Sequence, residues 1–194
     1  YFSHNSFKTS RFFQFILAFL GTMAAQKDPL WWASHHRLHH AHADTELDPH
    51  SAKLKGFWWS HIGWVMKNNA CETRFEKIND FKKFPELLWL NKYAFLPPIV
   101  LALILYIIGS LIGYYNPEST ISGFQYLIYG FVLSTVAVYH VTFSINSVAH
   151  KFGKKRYKNK DESVNNWFLA LLTGGEGWHN NHHRYAVCAR QGFK

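Results

Sequence analysis

The pattern of apolar and polar positions divides the chain into two long uncharged runs between strongly polar flanks. Residues 95–115 (FLPPIVLALILYIIGSLIGYY) form 21 positions without a charge, and residues 123–145 (GFQYLIYGFVLSTVAVYHVTFSI) form 23 with one histidine near the end. About 20 apolar residues cross a bilayer as a helix, so both runs are predicted to span one. The connector, 116–122, holds no Lys or Arg, which predicts a helical hairpin. Residues 12–25 (FFQFILAFLGTMAA) are apolar but short for a span, and read as a buried or interfacial helix. Residues 56–66 (GFWWSHIGWVM) read as a segment lying at a membrane interface.

Charge orients this hairpin. All 21 Lys and Arg lie outside it, 12 before and 9 after. The positive-inside rule then places both flanks in the cytoplasm, with the 116–122 turn on the other side. None of the eight tryptophans falls in a span, the distribution of an aromatic belt and a cytosolic cap. The net charge of +9 would by itself suggest nucleic acid, but paired spans argue against that partner and for membrane lipids. The basic run 151–160 (KFGKKRYKNK) is read as solvated or facing lipid headgroups. Cys71 and Cys188 are far apart and in no C-x-x-C, which excludes a disulfide framework and a thiolate zinc site.

The polar flanks carry the chemistry. Residues 36–40 read H-R-L-H-H, residues 179–183 read H-N-N-H-H, and residues 146–150 read N-S-V-A-H. On a helix, positions i, i+3 and i+4 share a face, so each H-x-x-H-H box aims three imidazoles one way, and Asn146 and His150 pair at i, i+4. Neutral imidazole is the commonest metal ligand and suits iron, copper, nickel and zinc. Two such boxes in one chain predict a multi-histidine metal centre. His35, His42, His61 and His140 stand outside the boxes and are read as structural. His140 precedes His150 by ten residues, about 15 Å along a helix, too far to share a metal.

These residues resemble the membrane-bound fatty acid desaturase family, in its Δ9 acyl-CoA (stearoyl-CoA) desaturase-like branch. Tyr1-Phe2-Ser3-His4 is similar to the last four positions of the family's first box, H-R-x-x-S-H, whose first histidine would lie two residues before Tyr1. His36 through Asp48-Pro49-His50 match H-R-x-H-H…D-P-H, residues 146–150 match N-S-x-A-H, and residues 175–183 match the third box. The resemblance implies an all-α integral membrane protein with a helical cytosolic cap over four transmembrane helices. The two spans here correspond to the third and fourth, so the chain reads as one desaturase domain, 1–194, truncated at both ends, with its cap at 1–94 and 146–194.

The resemblance also implies a site. Its metal ligands are His4, His36, His39, His40, His150, His179, His182 and His183, with Asn146 contacting one metal through water. The resemblance implies two irons, and eight histidines exceed the needs of one tetrahedral ion, which argues for two metals. With one histidine of the first box outside the chain, at least one metal is expected to be held incompletely. Asp48, His50 and Glu176 are candidates for fixing imidazole tautomers from behind, an ordinary cap or turn role being equally open. Gln26, Trp32 and Thr142 match residues that bend the acyl chain in a substrate tunnel, with core packing equally open for Trp32. Phe143 stands where animal enzymes carry Trp.

The implied activity is O2-dependent insertion of a cis double bond, at Δ9, into a saturated acyl chain. A hydroxylase, ketolase or epoxidase on the same histidine scaffold is the alternative, and a histidine-rich metal carrier a more distant one. No haem or iron–sulfur motif is present, so electrons come from an external donor, by analogy cytochrome b5 or a ferredoxin. The membrane would be the plasma membrane in a bacterium and the endoplasmic reticulum in a eukaryote. Animal acyl-CoA enzymes carry Arg-Asp before box two where this chain has Ser34-His35, and a basic pair where it has Asn68-Asn69. Loss of an Arg removes a bidentate phosphate contact, so CoA recognition is expected to be weaker. Acyl-CoA held by Lys53, Lys55, Lys67 or the 151–160 run, an acyl-lipid, and acyl carrier protein all remain open as substrates.

Overall fold

A computed structural model describes residues 1–67 and 72–193. The expectations at Asn68, Asn69 and Cys71 lie outside the described residues. Among the described residues the chain is helical, with no β-strand beyond the isolated antiparallel pairs Lys154–Asn165 and Asn165–Trp178. It divides into two compact units. One comprises Tyr1–Thr9, Leu30–Lys83 and His140–Lys194, and the other Ser10–Pro29 and Phe84–Tyr139. Residues 10–29 and 84–94, expected in the cap, thus group with the hairpin.

The hairpin unit is built on α6 (Leu96–Tyr115) and the helical run that starts with α7 (Gly123–Tyr126). Pro97 and Pro98 occupy the first turn of α6, where backbone N–H groups have no intrahelical acceptor to lose. The return helix opens with a capping box. Ser122 Oγ accepts from Gln125 N at 3.2 Å, and Gln125 Oε1 accepts from Ser122 N at 2.8 Å. The expected uniform span is interrupted at Leu127–Leu133 by a π-helical stretch before α8 (Ser134–Ser147). There Ser134 Oγ donates to the carbonyls of Gly130 and Phe131. Helical structure continues past 145 through a 3-10 turn, Val148–His150.

Both apolar helices are long enough to cross a membrane, and only 11% and 6% of their most apolar windows are buried. A core helix of a soluble domain is mostly covered, so these two associate the chain with a membrane. Their contact is made through small residues. A Cβ on Gly109 would lie 2.7 Å from Ser122 O, and one on Gly123 would lie 2.2 Å from Ser110 Oγ and 2.6 Å from Tyr106 O. Backbones approach this closely only without a side chain between them.

The same unit holds α1 (Arg11–Thr22) and α5 (Pro85–Lys92), joined by a two-pronged Arg11–Glu86 ion pair at 2.7 Å. On α1 the inward stripe is Gln14, Ala18 and Thr22, while Phe12, Phe13 and Leu20 are exposed. Of the two readings for 12–25, this outward apolar face fits an interfacial helix. The other unit has its core at α2 (Pro29–His42), where Trp31 stacks on Trp64 at 5.8 Å with Trp32, Trp59 and Val65 packed around them. Residues 56–66 are therefore divided. Trp64 is buried in this core, whereas Trp58 on α4 (Phe57–His61) and Met66 are exposed.

The glycine contacts give a direct test. Gly123→Ala is expected to destabilise the protein by about 1–3 kcal/mol, because neither helix can yield without losing the interface. Gly21→Ala on α1, where nothing lies within 4 Å, is expected to be neutral or to stabilise by up to about 1 kcal/mol. Thermal melting in detergent reads both. Equal effects would show that the close approach is not structural.

Candidate metal centre

Box two lies on α2 and box three on the short α10 (His179–Arg184). The structure brings their imidazoles together with His4 and His150. His36, His40 and His182 point their Nε2 atoms at one another, at 3.0 Å for His36–His40 and His40–His182 and 3.2 Å for His36–His182. The ring of His4 lies 4.5–5.0 Å from all three. A second set follows: His39–His183 at 3.3 Å, and His183–His179 and His150–His179 at 3.0 Å, all between Nε2 atoms. The two sets adjoin, with the rings of His40 and His183 stacked at 4.3 Å. The eight histidines thus form two groups of four, each with its ligand atoms within 4.8 Å of one another.

Hydrogen bonds do not account for these groups. A neutral imidazole offers one donor and one acceptor, and three Nε2 atoms in mutual contact cannot all be satisfied pairwise. His4 Nε2 is buried with no partner, as is the Nδ2 amide of Asn146. Protonation is disfavoured at most of these rings. Burial, with neighbouring histidines, holds His36, His39, His40 and His179 well below the ordinary 6.5, His4 at about 4 and His182 at about 3. Buried neutral imidazoles converging on one point are the donor set of a borderline metal ion such as iron.

Carboxylates stand behind some of the rings. Asp48 Oδ1 lies 3.1 Å from His39 Nδ1, and Asp161 Oδ2 lies 3.0 Å from His183 Nδ1. Asp44 Oδ2 is 3.7 Å from His150 Nδ1, beyond a hydrogen bond. The contacts from Asp48 and Asp161 fix the tautomer with Nδ1 protonated and the Nε2 lone pair facing inward. Asp48 is fully buried, and burial raises it to about 6. At Asp44 burial also pushes upward, but contacts from His150, the Glu162 N–H and Ser51 bring it to about 2. At Asp161 the same opposition, with His183 and Ser163 as partners, leaves it below the usual carboxylate range. His50 packs 4.2 Å from the His39 ring and 3.7 Å from Asp48. Glu176 instead accepts from Gln191 Nε2 at 3.2 Å.

The remaining expected residues divide. Trp32, Thr142, Asn146 and Glu176 line a cavity of about 510 Å³ together with box histidines, including His36 and His179. Phe143 does not face it; it is buried with its ring edge-on to His61. Gln26 lies in the hairpin unit, between Ala25 and Lys27, both with positive φ. His61 and His140 pair at 3.1 Å and His35 meets Glu72 O at 3.0 Å, all outside both groups of four, as is His42. Ser60 Oγ fixes the Asn146 carbonyl at 2.7 Å.

Several supporting residues had not been assigned a role. Arg37, inside box two, donates to the carbonyls of Phe2, Ser3 and Lys77 and forms a two-pronged pair with Asp80, which holds the loop carrying His4. Asn180 and Asn181, between the histidines of box three, are fully buried hubs. Asn180 Oδ1 accepts from Arg156 and Tyr157 N–H, and its Nδ2 donates to the carbonyls of Tyr157 and Ser163. Asn181 is clasped by Asn165 and donates to Gln191 O. The 151–160 run, read as a solvated or lipid-facing face, has mostly exposed side chains, but its backbone is stitched to box three. The letters R and N within the boxes were the available signal. Asp44 and Asp161 had none.

A helical, membrane-associated chain with two polyhistidine groups defines a class, and comparison with known proteins fixes the family. The fatty acid desaturase family model matches residues 1–190. The chain is 40% identical to the sn-1 stearoyl-lipid 9-desaturase of Anabaena variabilis, over 99% of this chain and 66% of that protein. It is 36% identical to the acyl-CoA C20 Delta5-desaturase of Anemone leveillei, over 99% and 58%. It is 37% identical to the chloroplastic palmitoyl-monogalactosyldiacylglycerol delta-7 desaturase of Arabidopsis thaliana, over 99% and 49%. The chain belongs to the fatty acid desaturase family, and it spans about half to two thirds of the length of these relatives.

Asn180 carries the local prediction. Asn180→Ala leaves two N–H and two C=O groups without their side-chain partner, and is expected to cost about 2–4 kcal/mol. Melting of the variant against Asn79→Ala, an exposed amide with one weak contact at 3.4 Å, checks this. Equal melting temperatures would show that box three does not depend on the hub.

Proposed function

We propose that the chain is the metal-binding part of an O2-dependent acyl desaturase that inserts a cis double bond, at Δ9, into a saturated chain. The two adjoining groups of four histidines on the wall of a 510 Å³ cavity carry this reading. We take His4, His36, His40 and His182 to hold one iron, and His39, His150, His179 and His183 the other, with Asn146 reaching a metal through water. Iron bound there would supply, from O2 and two external electrons, the oxidant that an unactivated C–H bond requires and no side chain provides. The residues do the positioning. Trp32 and Thr142 line the cavity beside the histidines, where they would set which C–C bond faces the metals. Gln26 is the third candidate for this role. The 9-desaturase among the relatives favours Δ9.

The head group is read as a membrane lipid. Ser34 and His35 replace the CoA-contacting pair, and both are committed internally: Ser34 to Trp31 O and Arg74 N, His35 to Glu72 O. Lys53 is paired with Glu162. Acyl-CoA is the second reading, because a cavity of about 240 Å³ is lined by Lys55, Lys67 and Arg74. We place the site on the cytoplasmic side of the membrane, with residues 1–194 as one desaturase domain and cytochrome b5 or a ferredoxin as donor.

The test supplies the full-length protein with O2, a matched donor, and stearoyl-lipid, stearoyl-CoA or stearoyl carrier protein side by side. The expected product has lost two hydrogens, forms fastest from the lipid, and changes double-bond position in Thr142→Ala or Trp32→Ala. A product that has gained oxygen would make the enzyme a hydroxylase, and no product from any substrate would overturn the reading.

A further inference from the structure

The two histidine groups are not equivalent. His39, His150, His179 and His183 sit on α2, the Val148–His150 turn and α10. Behind them stand Asp48 at 3.1 Å from His39 and Asp161 at 3.0 Å from His183; Asp44, 3.7 Å from His150, is beyond a hydrogen bond, and the Nδ1 atoms of His150 and His179 are buried without a partner. Each carboxylate is itself fixed. Asp48 accepts from the N–H of Asp44 and His50, Asp161 from the N–H of Ser163, and Asp44 from Ser51 Oγ and the Glu162 N–H. The other group has no such backing. Among the described residues no carboxylate lies within 4 Å of a ring nitrogen of His4, His36, His40 or His182. One of its members, His4, comes from a loop rather than a helix.

A carboxylate behind a ligating imidazole holds the tautomer and ring orientation and raises its basicity. Losing such a contact typically costs tenfold to a hundredfold in metal affinity. We infer that the two metal positions differ in retention: the group backed by Asp48 and Asp161 keeps its metal, and the group containing His4 releases its metal first. The inference rests on the metal-centre reading and adds an order of loss to it.

The test loads the full-length protein with Fe(II) and follows bound iron by elemental analysis after addition of excess chelator. Two phases of equal amplitude are expected, separated by at least about tenfold in rate. At the half-depleted stage, diethyl pyrocarbonate and mass spectrometry should find His4 and His40 modified while His39 and His183 stay protected. This assignment needs no variant. Asp161→Asn and Asp48→Asn should accelerate the slow phase by tenfold or more and leave the fast phase unchanged, and Glu118→Gln, at an exposed position of the 116–122 turn, should alter neither. Loss of both irons in one phase would overturn the inference while leaving the metal centre standing. So would early modification of His39 and His183, or Asp-to-Asn variants that leave the slow phase as it was. A protein that takes up no iron would overturn both.

Discussion

Eight imidazoles gathered in two groups of four are the constraint around which the rest of this unit is arranged. Each ring must be at least partly buried and aimed, and nothing in an apolar core does both. Helical spacing does part of it: α2 and α10 each bring three rings to one face. Hydrogen bonds do the rest, because a buried polar atom left unmet costs about 1–3 kcal/mol. The convergent Nε2 atoms are the exception, and they are the atoms a metal would satisfy.

This constraint explains features that look incidental along the chain. Arg37 points away from the other residues of its box because the loop carrying His4 has no helix to define it and is held through its carbonyls. Asn180 and Asn181 take the positions between histidines on a six-residue helix too short to be stable alone. Their side chains substitute for missing helical turns by binding the 151–165 loop and Gln191. In the hairpin the requirement is different. Gly109 and Gly123 let backbones meet, Ser122 and Gln125 close the turn, and the apolar side chains face outward.

The histidine groups were legible because a period of three and four along a helix determines which side chains share a face, and because family motifs bridge the gaps between elements. The spans were legible from length and absence of charge. What could not be read came from contacts distant in sequence. Asp161 and His183 are 22 residues apart, and Asp44 meets the Glu162 N–H across 118. No periodicity links such pairs. Glu176 was singled out by its place beside box three, yet adjacency in sequence did not turn it toward a ring. Phe143 follows Thr142 directly but faces His61, since neighbours on a helix point about 100° apart. The π-helical stretch at Leu127–Leu133 leaves no mark in hydropathy, which registers only apolar length.

Iron K-edge X-ray absorption on the iron-loaded full-length protein, combined with iron and protein quantification, tests the central claim most directly. Two groups of four histidines predict two irons per chain and a first shell dominated by imidazole nitrogen at about 2 Å. One iron per chain or none, or a shell dominated by carboxylate oxygen or by sulfur, would contradict it.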